Sequence, residues 1–330
     1  MRDCLLQIYD LEAQKIVPVK ARSLEHSAYR LDTQTGSFFL KPLPNYRSQI
    51  DLEGTIRFQQ ALSEQGLRVA KFVATRNGDV LGDMPFGKAS LQSWLEGRQG
   101  RPASCDDCRA TLLELDRLDI LVSSPTARFD SAFGRRRPLH PWPDTKGDWS
   151  RLSKHIVDIA QRHSDHLGRI AERLQDSVAM LSHRIAWQRL SCRLIHGDPG
   201  PGNTIFEDQE AHLIDFDDAR LGYPLFDQAR AVAEYAVLPS VGPNEHCEEI
   251  EMNFVAEMIA RGCALRNPKP AELEAWSPAV GLSLCYVLIA MTDLDWEIYG
   301  LSEPRLVDDA EGLEALLSRI LAAISPIVSG

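Results

Sequence analysis

The spacing of apolar residues changes once along the chain, near Gly97. Ahead of it, short apolar or alternating runs predict strands at Ile16 to Leu24, Ser27 to Leu31 and Phe38 to Leu43. Further runs lie at Lys71 to Thr75, Asp79 to Met84 and Ala89 to Leu95. Thr33-Gln34-Thr35-Gly36 and Asn77-Gly78 between them are turn signals. A helical pattern from Ser48 to Gln65, with Ile56, Phe58 and Leu62 apolar, follows the third strand and stops at Gly66. The expectation is an antiparallel sheet with one inserted helix.

Beyond Gly97 the period becomes helical. Ile156, Ile159, His163, Leu167, Ile170, Leu174, Val178 and Leu181 recur in steps of three and four, predicting a long amphipathic helix, unbroken from Asp148 to Arg189. His163 lies inside that stripe and reads as a core or boundary histidine rather than a ligand. Ile250, Phe254 and Met258 mark another helix, and Leu313, Leu317, Ile320 and Ile324 the last. Between Ser123 and Asp148, four prolines and Arg135-Arg136-Arg137 read as a solvated insertion or a flap over a site.

Composition narrows the partners. The 330 residues carry a net charge of −11, a poor match to nucleic acid or an anionic membrane, which demand positive fields. The uncharged run from Ala279 to Met291 falls short of the roughly 20 residues a membrane-spanning helix needs. Asp10 and Glu12 interrupt any signal-peptide core at the start. The seven cysteines are odd in number and scattered, which predicts reduced thiols and a cytoplasmic protein. Cys105-Asp106-Asp107-Cys108 has no second pair and reads as incidental.

One segment carries chemistry: Leu194-Ile195-His196-Gly197-Asp198-Pro199-Gly200-Pro201-Gly202-Asn203, then Ile214-Asp215-Phe216-Asp217-Asp218-Ala219. A short strand delivers His196, Gly197 and Asp198 to a loop where prolines and glycines forbid regular structure. Thr204 to Phe206 and Ala211 to Asp215 predict a hairpin that returns Asp215 beside Asp198 and Asn203. Carboxylate and amide oxygens at Asp215 and Asn203 suit Mg²⁺, which takes few protein oxygens plus phosphates and waters. Asp198, next to the metal, can orient a hydroxyl and accept its proton. This is the layout of phosphoryl transfer.

The same residues resemble the aminoglycoside phosphotransferase and choline kinase-like family, distant relatives of protein kinases. His196-Gly197-Asp198 with Asn203 matches its catalytic pattern, Ile214-Asp215-Phe216 its metal-binding strand end, and Gly222-Tyr223-Pro224-Leu225-Phe226-Asp227 its G-x-P-x-x-D segment. The resemblance implies an α+β, two-lobed, protein-kinase-like fold. Residues 1–97 would be a small antiparallel-sheet lobe with one helix that binds nucleotide. Residues 98–330 would be a larger, mainly helical lobe with the catalytic loop and acceptor site.

It also implies roles: Asp198 the base or orienting carboxylate, Asn203 and Asp215 the Mg²⁺ ligands, Lys41 the phosphate grip and Glu53 its steadying partner. His196 would brace the loop, and Asp227 would cap the next helix and bond the catalytic loop. Where a glycine-rich turn is usual, the chain has Ser23-Leu24-Glu25-His26-Ser27-Ala28-Tyr29, which leaves Ser27 and backbone amides for the phosphates. Ser90 to Gly97 resembles the hinge that reads the purine. The expected activity is ATP- or GTP-dependent phosphorylation of a small-molecule hydroxyl, on an aminoglycoside, amino sugar or choline-like alcohol. Asp293, Asp295, Trp296 and Glu297 form either a patch for a cationic acceptor or a solvated helix end. The competing readings are a bacterial stress-response-type Ser/Thr protein kinase and a nucleotide-binding pseudokinase that regulates.

Overall fold

The computed structural model describes residues 1–19, 28–42, 49–123, 157, 161, 164–238, 249–290 and 310–329. β1 (Lys15–Val19), β2 (Ala28–Asp32), β3 (Ser37–Pro42), β4 (Phe72–Val73), β5 (Gly82–Met84) and β6 (Gly87–Ser93) form one sheet. Its order is β1-β2-β3-β6-β4, with β5 also on β6, and every pairing is antiparallel. The runs at 71–75 and 79–84 form shorter strands than their pattern predicts, and both pair with β6 rather than with each other. Asn77-Gly78 still turns the chain, with the Gly78 N–H donating to the Thr75 carbonyl at 2.9 Å.

A helix absent from the hydrophobic pattern, α1 (Arg2–Tyr9), precedes the sheet. The described residues of this half therefore hold two helices where one was expected. Leu5 and Tyr9 pack with Leu31, Leu40 and Leu91, and the Tyr9 hydroxyl donates to the Ala89 carbonyl at 3.0 Å. Two anchors in so short a segment do not make a readable period. α2 (Gln49–Glu64) is the expected inserted helix. Its Ile56 packs on Val80 and Leu81, while Phe58 and Leu62 enter the core of the helical half. α2 thus ties the sheet to the elements below it.

After β6 the Trp94 N–H donates to the Ser37 carbonyl at 3.0 Å. Four residues on, β7 (Arg98–Gln99) pairs with β9 (Thr204–Glu207), which forms a hairpin with β10 (Glu210–Leu213). The crossing is pinned: Asp107 of α3 (Cys105–Ser123) accepts from Arg98 at 2.5 and 2.9 Å and from the Arg101 N–H at 2.9 Å.

The helical half contains α3, α4 (Asp165–His183), α5 (Pro224–Ala236), α6 (Met252–Arg261), α7 (Pro270–Ala290) and α8 (Ala310–Ser329). From Ala279 on, α7 is apolar on all sides because α4, α5 and α8 enclose it. That enclosure accounts for the uncharged run after Ala279. Among the described residues no helix is long and apolar enough to cross a membrane.

The helix expected from Asp148 to Arg189 is not continuous. Ser164 is extended (φ −169, ψ 158) and its Oγ accepts from the Leu167 N–H, capping α4. The helix ends at His183, and a 3-10 turn covers Trp187–Arg189. An apolar stripe can run on across a cap, so periodicity alone overlooked the break. His163, the insertion at 124–148 and the acidic-aromatic segment at 293–297 lie outside the described residues.

Candidate active site

β8 (Arg193–Ile195) pairs antiparallel with β11 (Arg220–Gly222), Ile195 opposite Arg220. That ladder brings the loop after β8 alongside the segment before β11. The predicted hairpin closes the third side. Its register runs from Thr204 opposite Leu213 to Glu207 opposite Glu210, so its loop is Asp208-Gln209, tighter than expected. The Ile214 N–H donates to the Asn203 carbonyl at 3.0 Å. Asp215 and Asn203 are therefore brought to one end of the hairpin.

The loop is held from below. Asp227 accepts the His196 N–H at 2.7 Å on one oxygen and the Gly197 N–H at 2.9 Å on the other. It does not cap α5, whose N-cap position is Tyr223; its two oxygens serve the loop instead. Burial pushes the Asp227 carboxyl up, and the charge and N–H groups around it only partly offset this. Gly197 has φ +88, and a Cβ there would lie 2.2 Å from the Asp218 carbonyl oxygen. Only glycine fits both the conformation and the space.

His196 is fully buried. Its Nε2 lies 2.9 Å from the Ile214 carbonyl and its Nδ1 accepts the Asp198 N–H at 3.2 Å. These partners make Nδ1 the acceptor and leave Nε2 to face the carbonyl as donor. The imidazole packs on Phe216 at 4.4 Å, and Phe58 of α2 meets Phe216 edge-on at 6.0 Å. His196 is thus a brace between the loop and the 214–216 segment.

Both oxygens of Asp198 are engaged. Asn203 Nδ2 donates to Oδ2 at 2.7 Å and to the Asp198 carbonyl at 2.9 Å. Arg230 of α5 donates to Oδ1. With both amide hydrogens of Asn203 directed at Asp198, its Oδ1 is the atom left for a cation.

Lys41, on β3, crosses to the same place. Its Nζ donates to Asp215 Oδ1 at 2.8 Å and to Asp217 Oδ2 at 2.9 Å. Glu53 is half-buried on α2, and the two carboxylates of the 215–217 turn stand where the lysine ends. Burial disfavours the ammonium, but Asp215 and Asp217 outweigh it and hold Lys41 above the ordinary lysine range. Burial likewise raises Asp215, and Lys41 more than reverses this, leaving its carboxyl low. Asp215 itself is left-handed (φ 62, ψ 64) at the head of the 3-10 turn Phe216–Asp218, which turns it out of the hairpin. Ser27 lies outside the described residues.

Lys41, Asp198, Asn203 and Asp215 therefore meet at one junction between the sheet and the helices. The profile of the phosphotransferase enzyme family matches residues 18–276. The chain belongs to this family. As a member of the phosphotransferase enzyme family, it is 28% identical over 215 residues to a homoserine kinase of Nitrobacter winogradskyi. That match covers 64% of this chain and 60% of the relative, so the chain spans about three-fifths of the length of the curated relatives it matches. An amicoumacin kinase in complex with AMP-PNP and Ca²⁺ superposes with a TM-score of 0.63 at 17% identity, covering 98% of this chain and 91% of that one. A choline kinase from Cryptosporidium parvum gives 0.58 at 12% identity, covering 96% and 90%. These similarities show the kinase-like α+β fold.

Two residues at the junction were not singled out from sequence. Asp217 is the middle carboxylate of Asp215-Phe216-Asp217-Asp218, and Arg230 stands three residues after Asp227, one helical turn along α5. The only available signal for Arg230 was that spacing, which puts both side chains on the face of α5 toward the loop.

Proposed function

We propose that this phosphotransferase-family chain transfers the terminal phosphoryl group of ATP or GTP to a hydroxyl of a small molecule. The observation that carries the proposal is the Asp198 carboxylate, locked between Asn203 and Arg230 beside the Lys41–Asp215 pair. Asp198 would orient the acceptor hydroxyl and receive its proton. Lys41 would turn from the two aspartates to the phosphates when nucleotide enters. Glu53 on α2 and Ser27 ahead of β2 remain the candidates for steadying the lysine and contacting phosphate.

The donor set fits a hard divalent cation such as Mg²⁺: one amide oxygen at Asn203 and the partly exposed carboxylate of Asp215. Asn203 and Asp215 would hold the cation, which would supply neutralisation of the phosphate charge during transfer. Catalysis then rests on position and charge, with no covalent intermediate. The division of labour at Gly97 suits nucleotide on residues 1–97 and acceptor on 98–330. The six described cysteines are free thiols, in keeping with a cytoplasmic enzyme.

Homoserine, amicoumacin and choline, named by the relatives and neighbours, favour a small amine-bearing alcohol over a protein acceptor. The test is phosphoryl transfer from labelled ATP and GTP, with Mg²⁺, to homoserine, choline, aminopropanol and aminoglycosides in parallel with protein substrates. Transfer to a small alcohol that Asp198→Ala abolishes is the expected result. Transfer to protein alone would move the assignment to the Ser/Thr kinase reading. Nucleotide binding without transfer to any acceptor would move it to a regulatory pseudokinase.

A further inference from the structure

Arg230 is a charged side chain only 6% exposed, and it reaches several groups at once. Nη2 donates to Asp198 Oδ1, and Nη1 donates to the Gly197 carbonyl at 2.8 Å. Nε and Nη2 lie 3.4 and 3.3 Å from Glu234 Oε1, one turn further along α5. The guanidinium carbon stands 5.0 Å over the ring of Tyr286 on α7. A planar fork with several fixed donors suits such a site, and a lysine does not.

Burying the cation is costly unless it is paired. Asp198 and Glu234 supply the pairing, and Tyr286 supplies an aromatic face. The pairing runs in one direction. Glu234 and Tyr286 hold the guanidinium from the helix side, and the guanidinium holds Asp198 from the loop side. Asn203 takes the other carboxylate oxygen at 2.7 Å. With donors on both oxygens, the plane of the carboxylate is set before any acceptor arrives. The acceptor hydroxyl then meets a carboxylate that need not search for its rotamer.

We propose that Arg230 is a positioning residue for phosphoryl transfer, fixing the orientation of the Asp198 carboxylate, with Glu234 and Tyr286 as the anchors that fix Arg230. This rests on the kinase reading above and extends it to a second layer of the site. Asp198 aims the acceptor. Arg230, only 6% exposed, aims Asp198. Misplacing a reacting group by about 1 Å can lower a rate about 10²-fold, so the effect belongs in kcat.

The test compares wild type with Arg230→Gln, Arg230→Lys and Glu234→Gln. For Arg230→Gln, kcat should fall about 10²-fold while the nucleotide KM changes less than about 2-fold and the nucleotide-bound protein keeps its cooperative thermal unfolding. Arg230→Lys restores a charge but reaches either Asp198 or Gly197, not both, so its kcat should lie between the other two. Glu234→Gln should lower kcat by a smaller factor than Arg230→Gln. A merely structural role would lower thermal stability without the split between kcat and KM and without partial rescue by lysine. An Arg230→Gln enzyme with wild-type kcat, or one whose loss appears only in nucleotide KM, overturns the proposal. Crystal structures of wild type and Arg230→Gln give a second readout that does not depend on turnover. Asp198 should hold one rotamer in the first and spread over more than one in the second, and an unchanged single rotamer overturns the inference. If wild type transfers phosphate to nothing, the kinase reading fails by itself, and the two crystal structures still decide the role of Arg230.

Discussion

Gly197→Ala adds one methyl group at the tightest point of the catalytic loop. Gly197 has φ +88, where an L-residue is disfavoured by about 1–2 kcal/mol. The new Cβ would sit 2.2 Å from the Asp218 carbonyl oxygen and 2.5 Å from Arg220 Nη1. A carbon normally keeps about 3.3 Å from a carbonyl oxygen, so the overlap is on the order of 1 Å. The obstacle is backbone in the segment that runs into β11 and cannot swing aside like a side-chain tip. Relieving such an overlap costs about 1–3 kcal/mol, for a total of about 2–5 kcal/mol. The relief must also move the loop, because Gly197 donates to Asp227 at 2.9 Å and accepts from Arg230 at 2.8 Å. Asp198 moves with it, and a displacement of about 1 Å predicts a kcat about 10²-fold lower. Urea unfolding followed by circular dichroism measures the first quantity and steady-state phosphoryl transfer the second. Stability within about 0.5 kcal/mol of wild type, together with unchanged kcat, would refute the reasoning.

Asp198→Ala should lower kcat by about 10²–10⁴-fold while nucleotide affinity, read by calorimetry, stays near wild type, because the proposed role of the carboxylate is toward the acceptor. Asp215→Ala should abolish Mg²⁺-dependent nucleotide binding and Asn203→Ala weaken it less; equal affinities for wild type and Asp215→Ala would remove the metal role. Phe216→Ala, deleting a ring that is 1% exposed between His196 and Phe58, should cost about 3–5 kcal/mol in urea unfolding. Burial pushes the Asp107 carboxyl up, but Arg98 and Arg101 more than reverse this and hold it well below the usual range. The folded value is therefore below the unfolded one, and the native state binds fewer protons. Its contribution is complete above the unfolded value of about 3.9 and drains as pH falls toward the lower folded value. Asp107→Asn should flatten the loss of stability between about pH 4 and 2, measured as urea midpoints.

The residue order alone carried the strand-rich first part, the helical remainder, and the 194–219 segment in which the site lies. Strands with alternating faces and a proline-glycine loop between two apolar strands leave marks in local order, because neighbours in sequence produce them. The hairpin and the grouping of Asp198, Asn203 and Asp215 were legible for the same reason, whereas Lys41 was picked out only by the family resemblance. Only the fold decided what these groups touch. Lys41 meets Asp215 and Asp217 because β3 and the 215–217 turn face each other across the junction, 174 residues apart at the first contact. The α1 helix, the cap at Ser164 that divides the expected long helix, and the pairing of both β4 and β5 with β6 depend on packing against distant elements. Arg230 carries the point furthest. Its type and spacing are visible in the chain, yet nothing local says that an α5 arginine enters a buried space bounded by the catalytic loop and α7. A buried charge is tolerable only where tertiary structure supplies its partners, so its role follows from the assembled neighbours and not from the sequence around it.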